Sequence, residues 1–242
     1  MDTLAKYCRT DDPAALSFAA CLLISGYIVV KCITPPNATP AKAWKNDVIS
    51  IYGNSFIMLL ADASAVAVIL YHTAISVATP AALSLICPNP AATNQTLFTW
   101  SASTVIPMLL IVVFGPLRLG AYKNLGKNFT YGLAAPNKLI TDGIYKYMQH
   151  PSYTGIIIVA MAALALFIRW DASVGCVIPG SILSYIHAIP NAPGLGVALV
   201  MFIIVPQLAT RVRQEEAMLK ELFGDDWVQW NAKTSRFIPG IF

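Results

Sequence analysis

SVGCVIPGSILSYIHAI, residues 173–189, decides the architecture of this chain. The stretch is apolar, but it is short and interrupted by Gly175, Pro179 and Gly180, with Pro190 and Pro193 close behind. A helix that crosses a bilayer needs about 20 apolar residues. Irregular backbone at membrane depth survives only where protein or water satisfies its polar groups. Length and Pro/Gly content therefore predict a re-entrant or interfacial segment. The consequence falls on two polar blocks, LITDGIYKYMQHPSYTG (residues 139–155) and RVRQEEAMLKELFGDDW (residues 211–227). If residues 173–189 do not cross, two spans separate the blocks and both face one compartment. If they do cross, the blocks face opposite compartments.

Outward from that segment, the chain reads as a membrane scaffold. Its 242 residues are 57% hydrophobic and 12% charged, against about 25% charged in soluble domains. Spans are expected at residues 14–33, 51–78, 97–117, 151–168 and 194–210. Asp11, Asp12 and Pro13 start the first, and Pro35-Pro36 stop it. Lys31 sits where its stem can snorkel to the headgroups. The second carries Asp62 among small residues, which reads either as a helix-packing residue or as part of a site, and His72 near its end. Pro107 should kink the third. The fold class is thus an all-α polytopic membrane protein with about five transmembrane helices and a short re-entrant or interfacial segment. Residues 1–242 read as one domain, with N-terminal spans in 1–117 and the two polar blocks in 118–242.

Charge sets the orientation. Arg118, Lys123, Lys127, Lys138 and Lys146 face a single acid, Asp142, within residues 118–148, and Lys42 and Lys45 lie in the first loop. The loop at residues 80–96 has no charge. Positive-inside counting puts the lysine-rich segments and both polar blocks on the cytoplasmic side, with the N-terminus and the uncharged loop opposite. Asn94-Gln95-Thr96 is then a glycosylation acceptor if luminal. The net charge of +4 is dispersed, which argues against a nucleic-acid surface. The N-terminus carries charges of both signs and does not read as a cleavable signal peptide. The five cysteines form no CxxC pair and no metal spacing, so they read as buried or idle thiols.

The second block begins with Arg211 and Glu215, four residues apart and so on one helical face, with Met218, Leu219 and Leu222 continuing the stripe. Two readings remain: a surface ion pair at the membrane interface, or a pair facing a site. The helix should stop near Gly224, with residues 223–226 as a turn and Trp227 and Trp230 as interfacial aromatics. In the first block, Asp142-Gly143 marks a turn after Leu139-Ile140. Tyr145, Tyr147 and Tyr153 supply rings with hydroxyl handles. Pro151 suits the first position of a helix. The N–H groups of that first turn would suit a carboxylate. His150 reads either as an interfacial anchor or as part of that site.

Together the blocks become specific. Residues 139–155, residues 211–240 (RVRQEEAMLKELFGDDWVQWNAKTSRFIPG) and the approach segment LRLGAYKNLGKNFT (residues 117–130) resemble the isoprenylcysteine carboxyl methyltransferase family, which groups with phospholipid methyltransferases. The resemblance covers about the last half of the chain. It implies a multi-pass endoplasmic-reticulum enzyme with its active site facing the cytoplasm, a cytoplasmic C-terminal helical cofactor pocket, and residues 118–242 as the catalytic, cofactor-binding region. The implied reaction moves a methyl group from S-adenosyl-L-methionine to the C-terminal carboxylate of prenylated cysteine in CaaX-processed proteins, giving a methyl ester. Carried over by position, His150, Pro151, Ser152, Tyr153, Leu139, Ile140 and Tyr145 would hold the cofactor, with Asn137 and Lys138 at the edge. Glu215 would take its amino group, and Arg211 would face the substrate carboxylate as the catalytic residue. No metal is implied. The implied partners are prenylated proteins or peptides and membrane lipids, not nucleic acid. The oligomeric state is not set.

The sequence departs from the family pattern at Gln149, where Arg is usual, with Lys146 as a compensating charge. It also departs at residues 173–193, which are longer than in comparable relatives. Three other functions stay open. A phosphatidylethanolamine-type N-methyltransferase would need a base near the methyl group. A membrane sterol reductase would need a basic cluster for the 2′-phosphate of NADPH. A non-catalytic scaffold would bind no cofactor.

Overall fold

The computed structural model describes residues 6–37 and 54–240. Lys42 and Lys45 lie outside the described residues. The long helices are α1 (Pro13–Ile33), α2 (Ser55–Val77), α4 (Ala102–Leu125), α5 (Pro151–Ala163) and α7 (Ala192–Asn231). Two short ones are α3 (Pro80–Ile86) and α6 (Gly180–His187). Their starts follow from capping chemistry. The Asp12 carboxylate accepts from the Ala14 and Ala15 amides. The Asn54 side chain accepts from Phe56 and Ile57, and the Thr79 hydroxyl from Ala82. Among the described residues, five helical segments are long and apolar enough to cross a membrane, at Pro13–Ile33, Ser55–Val77, Gln95–Asn128, Pro151–Cys176 and Ala192–Asn231. The protein is an all-α polytopic membrane protein.

Residues 173–189 do not form a crossing helix. Ser173–Cys176 is a single 3-10 turn, and α6 has 8 residues. At 1.5 Å per residue α6 spans about 12 Å, far less than the ~30 Å hydrocarbon core. The two polar blocks are therefore separated by two crossings.

The chain forms two compact units. The first comprises Met1–Val30, Ala63–Val112 and Ala160–Met201. Its core packs Ile75, Leu97, Phe98 and Ala172 around Cys87 and Cys176. His72 is fully buried there, stacked on Phe98 at 4.7 Å, with a ring nitrogen 2.9 Å from the Leu97 carbonyl oxygen. Cys87 and Cys176 form a disulfide across a sequence separation of 89. This corrects the reading of all five cysteines as idle thiols. Short-range spacing is blind to such a pair, which exists because tertiary bonds align the two segments. The Asn89 amide donates to the Cys176 carbonyl, its side chain to that of Ile178, and the Asn94 amide to that of Asp171. A Cβ on Gly175 would come within 2.6 Å of the Trp170 carbonyl oxygen, so the close approach requires glycine. Cys8, Cys21 and Cys32 are free thiols.

The second unit comprises Lys31–Asp62, Val113–Val159 and Phe202–Phe242. Here the carbonyls that end α1 find partners. Cys32 accepts from the Tyr122 hydroxyl and the Arg118 guanidinium, and Ile33 from the Tyr131 hydroxyl. Asp62 accepts from the Thr34 hydroxyl at 3.0 Å, consistent with its packing role. Gly155 lets α5 press onto α4. A Cβ there would lie 2.8 Å from the Arg118 Cβ and 3.1 Å from backbone atoms of Phe114 and Arg118. Gly224 breaks α7 at φ 50°, ψ −120°, but helix resumes as far as Asn231. One helix therefore ends near Gly224 as expected, but a second helical stretch follows it directly in place of the expected turn. Buried Trp227 and the Trp230 indole, which donates to the Tyr145 carbonyl, hold the continuation in place. The tail then returns beside the first block. Gln149 donates its amide to Ser235, His150 to Arg236, and Ser235 to Tyr147.

Candidate active site

The site lies wholly within the second unit. It starts at the α5 N-terminus, where Pro151 needs no amide partner. His150 precedes it, 3% exposed. One ring nitrogen stands 3.0 Å from a Glu216 carboxylate oxygen, and Arg236 grips the same carboxylate with two bonds of 2.8 and 2.7 Å. Phe237 and Tyr153 flank the imidazole, with ring centroids 5.7 and 5.6 Å away. His150 is therefore buried in a charged network and is not an interfacial anchor.

One helical turn on, Tyr153 joins the two blocks. Its hydroxyl donates to Glu215 at 2.7 Å and accepts from the Arg211 guanidinium at 3.3 Å. Arg211 also donates to the Tyr131 carbonyl at 2.9 Å, and is 4% exposed. Burial removes the surface ion-pair reading of Arg211 and Glu215. Leu222, placed on the same stripe, is instead exposed.

These side chains line a cavity with about 1090 Å³ of empty space, counted out to its open mouth. Lys138, Leu139, Ile140, Tyr145, His150, Ser152, Tyr153, Arg211 and Glu215 all line it. Asn137 and Pro151 are not among the lining residues. Asn137 is exposed, with its amide on the Asn128 side chain, and Pro151 is buried at the helix start. Lys146 does not supply a charge here. It is exposed and lines a neighbouring groove with Asp226 and Lys233. Gln149 lines the cavity while its amide nitrogen reaches the Asn231 and Thr234 carbonyls and the Thr234 hydroxyl, which pins the tail.

Several side chains of the site escaped the sequence reading. Arg118, Tyr131 and Trp230 line the cavity, and Glu216 and Arg236 hold His150. Arg118 counted only as a topology charge, and Trp230 as an interfacial ring. Glu216 had one available signal, its adjacency to Glu215. Burial pushes the Tyr145 hydroxyl well above the usual phenol range, and the negative charge of Glu215 adds to this. Burial also raises Tyr131, against the opposing effect of Arg118. Both phenols stay protonated at neutral pH and can act as hydrogen-bond donors.

Residues 106–188 match a family model described as the isoprenylcysteine carboxyl methyltransferase (ICMT) family. The match takes in the first polar block and ends before the second. The chain is 30% identical over 129 residues to a protein-S-isoprenylcysteine O-methyltransferase of Schizosaccharomyces pombe, covering 52% of this chain and 44% of that one. It is 24% identical over 138 residues to protein-S-isoprenylcysteine O-methyltransferase B of Arabidopsis thaliana, covering 55% and 58%. A Dictyostelium discoideum protein-S-isoprenylcysteine O-methyltransferase is 29% identical over 137 residues, covering 54% and 48%. The chain is thus similar to the isoprenylcysteine carboxyl methyltransferase family over residues 106–188. It spans about half the length of the curated relatives it matches. Within the ICMT-matched segment lie Arg118, Tyr131, Tyr145, His150, Ser152 and Tyr153, all cavity-lining.

Proposed function

We propose that this protein transfers a methyl group from S-adenosyl-L-methionine to the C-terminal carboxylate of a prenylated cysteine in CaaX-processed proteins, forming a methyl ester. The observation that carries this reading is the Tyr153 hydroxyl held between Arg211 and Glu215 on the cavity wall. One cation and one carboxylate are thereby fixed side by side, to receive a ligand carboxylate and a ligand ammonium.

The residues fit the cofactor. Glu215 offers a carboxylate to its ammonium group, and Tyr145 and Trp230 offer aromatic surface beside Leu139 and Ile140. When bound, S-adenosyl-L-methionine supplies a methyl group made electrophilic by its sulfonium. The acceptor carboxylate is already ionised at neutral pH, so no residue needs to take a proton. Arg211 fixes that carboxylate through a planar fork of donors. Tyr153 holds the Arg211 and Glu215 heads at a set separation, which is the positioning that in-line transfer demands. Leu208, Leu219 and Ile156 line the apolar part of the wall and suit a prenyl chain.

Two independent features support the orientation. The Cys87–Cys176 disulfide ties the uncharged loop after α2 to the segment after α5, and disulfides persist in oxidising compartments. The basic segment after α4 and the charged end of α7 are one crossing removed from those loops, on the positive-inside side. This supports an endoplasmic-reticulum membrane protein with its cavity open to the cytoplasm.

The test uses purified protein, methyl-labelled S-adenosyl-L-methionine and two acceptors, N-acetyl-farnesylcysteine and phosphatidylethanolamine. Base-labile label on the farnesylcysteine alone is the expected result. Label on the amine lipid, or on neither acceptor, refutes the assignment.

A further inference from the structure

Arg118 is 5% exposed and lines the cavity, yet among the described residues its hydrogen-bond partners are all neutral. Nε donates to the Cys32 carbonyl at 2.6 Å. Nη1 donates to the Ser152 carbonyl at 3.1 Å and its hydroxyl at 2.8 Å. Nη2 makes one long contact to the Tyr131 hydroxyl, 3.4 Å. The Tyr122 and Phe129 rings lie beneath the guanidinium, 4.9 and 6.0 Å from their centroids. A guanidinium has five N–H groups, so these four bonds leave Nη2 with donor capacity to spare. A buried cation held only by carbonyls, hydroxyls and ring faces retains its full charge, and such a charge is costly unless an anion meets it.

The wall as a whole shows which anion. Its buried cations are Arg118 and Arg211, its carboxylate is Glu215, and Lys138 stands exposed at the rim. On the methyl-transfer reading, on which this inference rests, two carboxylates and one ammonium enter the cavity. One carboxylate belongs to the acceptor and one to the amino-acid end of the methyl donor. Glu215 answers the ammonium and Arg211 the acceptor, which leaves one buried cation and one ligand carboxylate. We infer that Arg118 binds the amino-acid carboxylate of S-adenosyl-L-methionine. The packing supports this placement. Gly155 removes the Cβ that would collide with Arg118, so α5 seats the guanidinium against Ser152 at the cavity wall.

The test compares S-adenosyl-L-methionine with its decarboxylated analogue, which keeps the sulfonium and the amine but lacks the carboxylate. Equilibrium binding of each is measured on full-length wild-type protein, Arg118→Met and Arg118→Lys in detergent. Wild type should prefer the carboxylated ligand by roughly 10- to 100-fold, the range for a hydrogen bond to a charged group. Arg118→Met should lose that preference by weakening the carboxylated ligand alone, and Arg118→Lys should keep part of it. Equal weakening of both ligands marks Arg118 as a structural staple and overturns the inference. So does a loss confined to the acceptor KM, which would give Arg118 to the other carboxylate. If Arg118→Met does not fold, the wild-type ratio and Arg118→Lys decide, and a wild-type ratio near one overturns it. Wild-type protein that binds neither ligand refutes the methyl-transfer reading itself.

Discussion

Tyr153→Phe is the most informative single change at the site. Phenylalanine keeps the ring beside His150 and deletes only the hydroxyl between Glu215 and Arg211. The bond to Glu215 is 2.7 Å, typical of an O–H group donating to a carboxylate. Hydrogen bonds to charged groups contribute about 1.5–3 kcal/mol. The contact from Arg211 is 3.3 Å and adds only at the low end of that range. Glu215 is half-buried, so water can replace part of the lost bond. The expected net cost to the organised pair is about 1.5–2.5 kcal/mol, which is roughly 10- to 70-fold in an equilibrium or rate constant. The assay is transfer of labelled methyl to a farnesylated acceptor in native membranes, with KM taken separately for donor and acceptor. The loss should fall mainly on the donor, because Glu215 loses its only short, charge-assisted tether to α5. A variant whose two KM values and kcat all stay within about threefold of wild type would show that the bridge does not organise the site.

Three other changes probe the surrounding frame. Glu216→Gln removes the carboxylate shared by His150 and Arg236 and should cost about 2–3 kcal/mol, read as a lower melting temperature. Arg236→Ala should cost only about 1 kcal/mol, because that side chain is 43% exposed. Equal losses in the two variants would refute the buried-network account. Under denaturing conditions, maleimide-polyethylene glycol should modify three cysteines without reductant and five with it, since Cys87 and Cys176 are paired and the other three are free. Five adducts without reductant would remove the disulfide and its support for orientation. Gly155→Val should drive α5 off α4 and cost at least about 1–3 kcal/mol by overpacking against backbone that cannot move aside. Wild-type melting in that variant would contradict the close approach.

The elements that sequence reading found are those whose signal is local. Spans announce themselves by apolar length, and the failure of residues 173–189 to cross followed from Pro179 and Gly180. The cavity's nearer half was equally legible, because His150, Ser152 and Tyr153 sit in one motif and Arg211 and Glu215 on one helical face. What stayed hidden depends on contacts between distant segments. The Cys87–Cys176 pair, the grip of Arg236 on Glu216, and the seat of Arg118 between Cys32 and Ser152 each need the fold before they exist. Arg118 shows the limit most clearly. In sequence it is one of several basic residues after a span, and it counts there only as a topology charge. Nothing within a helical turn of it says that its head is buried.

The same residue explains why such a site can stand beside apolar chain at all. An arginine and a carboxylate in a lipid-exposed cleft would cost several kcal/mol each in lost hydration. Here each charged head is pre-paid with fixed dipoles. Arg118 has the Cys32 carbonyl at the end of α1 and the Ser152 carbonyl and hydroxyl, and Arg211 has the Tyr131 carbonyl. Glu215 has the Tyr153 hydroxyl. These dipoles belong to backbone, a packed ring and a buried serine, so they need little reorganisation when a ligand exchanges for water. A carboxylate acceptor gains most from such a place. Its nucleophilic oxygen is blunted by hydration in water, and a cavity that swaps the water shell for a single oriented guanidinium leaves the oxygen facing the methyl carbon exposed. An amine acceptor would gain nothing from two buried arginines, because its charge has their sign. On the proposed reading, the charge of the cavity, more than its shape, would favour the acid over the amine.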